Sequence, residues 1–170
     1  MMKFFKSLLP AVVILFQGWS CNAQEKSTKI HWLSFEDAVR KSDSIPRKLF
    51  IDVYTDWCGW CKRMDASTFM NDSVAAYLNR NFYPVKLDAE QRDTIFFRDR
   101  VFAYKPEYKV NEIAIALLNG QLSYPSYILL DEKFSILTNL KGYQTPDQLM
   151  PALNFFAEDI YKHQKHCKQC

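Results

Sequence analysis

Hydrophobic and polar positions along this chain follow two periods, and the switch between them marks its elements. Four apolar runs have strand length: Lys48 to Thr55, Phe82 to Asp88, Ser126 to Asp131 and Phe134 to Leu140. The first is long and apolar enough for a central position in a sheet. Pro84 falls near the start of the second, where proline is tolerated. Between the runs, apolar residues recur at helical spacing. Phe35, Ala38 and Val39 follow Ser34 as N-cap, with Asp37 near N3, and predict a helix to about Ser42; Asp43 to Arg47 is a turn. Cys61 to Phe69 reads as a second helix with Met64 and Phe69 inward, and Ser73 to Arg80 as a third, capped by Asn71 or Asp72. Val110 to Asn119 is a fourth, stopped by Asn119-Gly120. The last opens with Thr145 as N-cap, Pro146 at N1 and Gln148 at N3, and buries Leu149, Leu153, Phe156 and Ile160. Thr94 to Phe97 and Val101 to Tyr104 flank Arg98-Asp99-Arg100 and read as a β-hairpin, although its turn lacks Gly or Asn. The order predicts an α/β fold, a mixed central β-sheet flanked by helices with an inserted β-hairpin. That hairpin has two readings, a shaper of partner choice or a cover for a sheet edge.

Composition and the N-terminus narrow the setting. The chain has 170 residues, one domain by length, and 48% hydrophobic content supports a sizeable core. Lys3 and Lys6 precede an apolar stretch from Leu8 to Phe16, followed by small and polar residues. That stretch falls far short of the roughly 20 residues a membrane span needs, and reads as a signal peptide over residues 1–23, cleaved after Ala23. The other processing route makes Cys21 a lipidated first residue, and only then is a membrane a partner. Both routes take the protein out of the cytoplasm, to a periplasmic or otherwise exported location. Residues 24–30 read as a polar linker, 31–162 as the domain and 163–170 as a polar tail. The net charge of +3 falls to +1 without Lys3 and Lys6, which removes any electrostatic case for nucleic acid.

Export gives the five cysteines their meaning. With Cys21 removed or acylated, two Cys-x-x-Cys pairs remain, Cys58/Cys61 and Cys167/Cys170. Cys58-Gly59-Trp60-Cys61 sits where the strand 48–55 feeds a helix. There, positions i and i+3 share a face, so the two sulfurs can bond. The unpaired N–H groups and dipole of the helix start favour a thiolate. A bridge across two residues closes almost no loop and contributes little as a structural staple. Redox chemistry is the better reading: Cys58, partly exposed at the helix tip, exchanges with a substrate disulfide, and Cys61, one turn deeper, resolves the mixed disulfide. The tail, His163-x-x-His166-Cys167-x-x-Cys170, has three readings: an incidental terminal pair, a second redox pair, or a zinc or copper site. The usual zinc layout separates its ligand pairs by a longer loop, so neither a metal nor a cofactor is predicted.

Over residues 30–162 the chain resembles the thioredoxin family. Trp57-Cys58-Gly59-Trp60-Cys61 is similar to that family's active-site motif. Asp52 falls where the family carries a buried acid, and Lys86 on the strand where it often has a lysine. Tyr124-Pro125 resembles its cis-proline, and Gly142 before a capped helix its C-terminal ending. Two features depart from the plain pattern: Trp60 stands in place of proline, and residues 91–108 are longer than a minimal member needs. With the signal peptide, both resemble exported bacterial thiol-disulfide interchange proteins. The resemblance implies a thiol-disulfide oxidoreductase, read in the reductase direction with oxidase and isomerase as the alternatives, and with Cys58, Cys61 and Asp52 catalytic. Asp52 would shuttle a proton for Cys61 if buried, and would be a bystander if it faced solvent. Trp57, Trp60, Tyr124 and Pro125 would contact substrate, though Trp57 and Trp60 also suit plain core packing. Lys86 either eases ionisation of Asp52 or is a solvated strand residue. Implied partners are cysteine-containing protein substrates and a membrane electron-donor protein. A reading from another class keeps the fold without catalysis: a binding module whose cysteines hold a metal or a partner.

Overall fold

Residues Leu49–Tyr54 form β1, the strand on which the molecule is built, and the computed structural model describes residues 28–166. The signal segment 1–23, the first residues of the linker, and Cys167 and Cys170 lie outside the described residues. β1 pairs in parallel with β2 (Tyr83–Asp88) and antiparallel with a later strand, Ser126–Leu130. Its backbone groups are therefore satisfied on both sides, which a strand buried on both faces requires.

Alternation along β1 divides the core into two layers. Leu49, Ile51 and Val53 face one way, toward Phe35 and Ala38 of α1 (Phe35–Ser44). Phe50 faces the other, against Met64 of α2 (Gly59–Ala66), Phe69 in the short 3₁₀ turn Thr68–Met70, and Leu78 of α3 (Asp72–Asn81). The caps follow the sequence: Ser34 Oγ accepts from Asp37 N at 3.1 Å, and Asn71 Oδ1 from Val74 N at 3.1 Å.

After β2 the chain leaves the sheet. β3 (Ile95–Phe97) and β4 (Arg100–Phe102) make the expected hairpin, with Arg98 at φ 55° supplying the left-handed turn residue that glycine would usually provide. A second two-stranded piece follows, β5 (Tyr104–Lys105) with β6 (Val110–Asn111), ahead of α4 (Glu112–Leu117). The sequence placed Val110 and Asn111 inside that helix; their pairing with β5 holds them extended instead. β7 (Ser126–Leu130) and β8 (Ile136–Lys141) complete a four-stranded mixed sheet in the order β2-β1-β7-β8. β8 starts two residues later than expected, because Asp131 Oδ1 accepts from Lys133 N and Ser135 N and turns Phe134 to φ 65°.

The C-terminal helix is broken in two. α5 (Pro146–Ala157) buries Leu149 and Leu153, then Asp159 adopts φ 57° and α6 (Ile160–His166) sets off anew. Ile160, expected in the buried face, is consequently exposed, and helix extends past residue 162 into what the sequence marked as tail. The linker boundary moves too: Ile30 is buried in the α2–α3–α5 layer, and Leu33 bridges Val85 in parallel, a stub beyond β2. Among the described residues no helix is long and apolar enough to cross a membrane.

Asn111 ties the inserted segment to the sheet. It is fully buried; its N–H donates to Ala89 O at 2.7 Å, and Nδ2 to Gln91 O and Asp93 O at 3.3 and 3.0 Å. Its Oδ1 accepts from Ile113 N at 3.1 Å, capping α4. Asn111→Ala loses the cap and strands two carbonyls, and should lower stability by roughly 2 kcal/mol in urea unfolding. Asn111→Asp, which keeps the cap but cannot donate, should recover only part of it.

Candidate active site

The end of β1 delivers the cysteines. Cys58 N donates to Thr55 O at 3.1 Å, closing a tight turn that leaves Cys58 as the N-cap of α2. Cys58 Sγ accepts from Cys61 N at 3.0 Å and is joined to Cys61 Sγ in a disulfide. Cap, bond and helix start thus coincide on one sulfur. Both cysteines are nearly covered, 4% and 3% exposed. This corrects the expectation of a partly exposed Cys58: with its sulfur bonded back to Cys61 and capping the helix, little of it faces outward.

What does face outward is aromatic. Trp57 and Trp60 are 66% and 59% exposed, which rules out core packing for either. Trp57 stands edge-on to Tyr124 at 5.9 Å between centroids, and its Nε1 donates to Glu90 Oε1 at 2.8 Å. The Tyr124–Pro125 bond is cis, and Pro125 O accepts from Gly142 N at 2.8 Å, anchoring that loop to the end of β8. On the opposite side Trp60 leans on Tyr143 at 5.7 Å, and Tyr143 Oη lies 3.2 Å from Ser67 Oγ. The Tyr124 hydroxyl is buried without a hydrogen-bond partner among the described residues. Burial, reinforced by the nearby Glu90 and Asp88 carboxylates, pushes its pKa up to about 12, so at neutral pH it stays a donor.

Asp52 lies on the strand that leads to the cysteines, on the Phe50 face of β1 and 1% exposed, so the solvent-facing alternative does not hold. Its register partners are Lys86 in β2 and Tyr127 in β7. Lys86 Nζ donates to Asp52 Oδ2 at 2.6 Å; Oδ1 has no partner among the described residues. Burial raises the Asp52 pKa to about 6, against the pull of the Lys86 ammonium, and the Asp65 carboxylate adds to the rise. Burial also works against the charge on Lys86, but Asp52 and Asp65 together outweigh it and raise its pKa. Lys86 is therefore no idle surface lysine: its ammonium also lies over Tyr54, Trp32 and Phe69, at 4.8, 5.2 and 5.5 Å from the ring centroids.

Sequence reasoning missed Asp65, Glu90 and Tyr143. Asp65 carried a usable signal, since it stands four residues after Cys61 and so on the same face of α2. Glu90 lies in an irregular loop whose path no periodicity reveals. Among the described residues no group of three or more His, Cys, Asp or Glu side chains is placed to hold a metal ion.

Comparison with known proteins gives a consistent result. A family model described as "Thioredox_DsbH: Protein of unknown function, DUF255" matches residues 20–134. An uncharacterized protein of Archaeoglobus fulgidus is 28% identical over 93 residues, 55% of this chain and 72% of the archaeal protein. Spermatogenesis-associated protein 20 of Rattus norvegicus is 28% identical over 80 residues, 46% of this chain but 10% of the rat protein, so the match spans about a tenth of that relative. Among solved structures, the chain is similar in fold to a thioredoxin from Thermus thermophilus, with a TM-score of 0.58 and 15% identity over 74% of this chain and 85% of that one. A candidate disulphide-isomerase from Bacteroides thetaiotaomicron gives 0.56 and 23%, over 76% and 94% of the two chains. The fold is thioredoxin-like.

The titration of Asp52 has a consequence for stability with a definite sign. Between about 3.8, its ordinary value, and about 6, the folded protein holds a proton that the unfolded chain has lost. Stability therefore falls as pH rises through that window, and the full penalty, roughly 3 kcal/mol, is present above it. Asp52→Asn cannot ionise. Urea unfolding of the oxidised proteins should show the variant gaining on the wild type by roughly 2.5 kcal/mol between pH 4 and pH 8. A difference constant across that range would contradict the burial argument.

Proposed function

The chain belongs to the Thioredox_DsbH family, and from that premise we propose that it is a thiol-disulfide oxidoreductase that reduces disulfides in exported proteins. The observation that carries the reading is the disulfide between Cys58 and Cys61 at the start of α2, with a buried, protonatable Asp52 on the strand that feeds that helix. In the reduced protein Cys58 thiolate attacks one sulfur of a substrate disulfide. A mixed disulfide forms and the other substrate sulfur leaves as a thiolate. Cys61 gives its proton to Asp52 and attacks the Cys58 sulfur. The second substrate thiol is released, Cys58–Cys61 is restored, and two electrons have passed to the substrate. Trp57 and Trp60 frame the approach, and the Tyr124–Pro125 loop offers backbone to an extended substrate segment.

The reductase direction has electrostatic support. Among the described residues the only hydrogen bond to Cys58 Sγ comes from the Cys61 backbone, with no side-chain donor. Asp65, on the same helix as Cys61, and Asp52, on the strand that leads into that helix, bring negative rather than positive charge to this part of the fold. With the helix start as its support and no side-chain donor beside it, a Cys58 thiolate is less stabilised than one that has both, which favours the pair as an electron donor. Export rests on the Lys3, Lys6 and Leu8–Phe16 pattern, with Cys21 lipidation as the route to a membrane anchor. A reductase in an oxidising compartment needs electrons from a membrane donor protein, and the same cysteines would receive them.

Two measurements decide the matter. In insulin reduction driven by dithiothreitol, the wild type should be active, Cys58→Ser inactive, and Cys61→Ser should accumulate the mixed disulfide. Absent turnover, or turnover indifferent to Cys58→Ser, would leave the non-catalytic binding module as the better account. The reduction potential of the pair, from a glutathione or dithiothreitol equilibrium, should lie nearer about −270 mV than about −120 mV, the range that separates reductants from oxidants on this fold.

A further inference from the structure

One lysine serves two carboxylates under the active-site helix. Lys86 Nζ is 2.6 Å from Asp52 Oδ2 and 2.5 Å from Asp65 Oδ1. The three differ sharply in environment: the side chain of Asp52 is 2% exposed, that of Lys86 22% and that of Asp65 45%. Tyr54, Trp32 and Phe69 crowd the rest of the ammonium, so its one charge is shared between the two carboxylates that it bonds. Asp65 and Lys86 reach solvent through a surface cleft of about 300 Å³ whose walls include Trp32, Phe69 and Met70.

We propose that Asp65 is a positioning residue for the redox site: by taking a share of the Lys86 ammonium, it keeps the buried Asp52 from becoming a fixed anion and so preserves it as a proton relay. This rests on the oxidoreductase reading of Cys58 and Cys61. The logic is competitive. An ammonium committed wholly to Asp52 would stabilise the carboxylate and weaken it as a base. An ammonium shared with a half-exposed partner gives Asp52 less. As an isolated surface pair, Lys86 and Asp65 would count for little. Their coupling gains weight because its other end is buried, where charges are poorly screened. The placement is a product of the helix: Asp65 is one turn beyond Cys61, and the face that carries the second sulfur also carries the competing carboxylate. The other ionisable groups around Asp52 are Tyr127 from β7 and Tyr54 along β1, both phenols with raised pKa values that remain neutral through the relevant range.

The test is a direct titration of Asp52. The ¹³Cγ shift of aspartate-labelled, oxidised protein is followed against pH in the wild type, Asp65→Asn, Asp65→Glu, Lys86→Met and the Asp65→Asn/Lys86→Met pair, with Lys86→Gln in reserve should the methionine variant fold poorly. Asp65→Asn should move the Asp52 midpoint down by roughly 1 pH unit, Asp65→Glu should restore it, and loss of Lys86 should move it up. In the Lys86→Met or Lys86→Gln background the effect of Asp65→Asn should shrink to less than half. An unmoved or raised midpoint in Asp65→Asn overturns the proposal. So does a shift that persists undiminished without Lys86, since direct repulsion between the two carboxylates would then account for all of it. In insulin reduction the pH profile of kcat/KM should follow the same displacement. The titration needs no turnover, so midpoints that shift as expected in a protein without reductase activity would defeat the oxidoreductase reading and leave the competition for Lys86 standing.

Discussion

Strand β1 can occupy only the interior of the sheet, and the rest of the site follows from that. Its residues from Leu49 to Val53 are buried, so both backbone edges must be paired, by β2 on one side and β7 on the other. Pairing on both edges removes any freedom of register, since a slip of one residue would turn Phe50 and Asp52 into the layer now held by Ile51 and Val53. With the register fixed, Asp52 must lie under α2 and beside Lys86. The strand must end where the Thr55–Cys58 turn begins the helix. The sulfur positions are thus inherited from the sheet rather than set by the loop that carries them.

That inheritance creates an electrostatic problem, which the neighbours solve in part. A carboxylate in the Phe50 layer is costly, and its natural answer is to stay protonated. Lys86 opposes this, the Asp65 carboxylate works with burial, and burial prevails, raising the Asp52 pKa to about 6. A tight, fully committed Asp52–Lys86 pair would give a firmer structure and a worse base. Among the described residues only Lys86 hydrogen-bonds this carboxyl, at Oδ2, and Oδ1 has no partner there.

Much of this was legible in the residues, and the failures have physical causes. The four sheet strands, the caps at Ser34 and Asn71 and the 94–104 hairpin come from short-range signals: alternation, side-chain acceptors and strand-forming residues. The errors sit where tertiary contacts override them. Ile160 continues the helical spacing of Leu149 and Leu153, yet the chain breaks at Asp159, whose carboxylate lies 2.9 Å from the Nζ of the buried Lys48. That contact spans most of the sequence and leaves no local trace. Val110 and Asn111 look helical until β5 is there to pair with them. Asp52, Cys58 and Cys61 were readable because β1 and the helix start fix them locally. Asp65, Glu90 and Tyr143 matter only through what they meet across the fold.

The near-complete burial of both cysteines constrains how any exchange partner reaches them. Attack on the disulfide needs a sulfur brought up to Cys58, and the surroundings of that atom are the turn behind it, α2 beyond it and the two tryptophans. A large folded surface with a recessed disulfide could not reach so small a window. On the oxidoreductase reading an extended segment could, its backbone along the Tyr124–Pro125 loop and its apolar flank on Trp57 or Trp60. The two tryptophans are held unequally for that task. Trp57 is pinned by Glu90 and Tyr124, whereas Trp60 only leans on Tyr143. As substrate contacts, the Trp57 side would supply a preorganised wall, which binds without loss of side-chain freedom, and the Trp60 side a wall able to adapt. On the oxidoreductase reading, breadth of substrate choice would come from the Trp60 side and orientation of the exchanging sulfur from the Trp57 side.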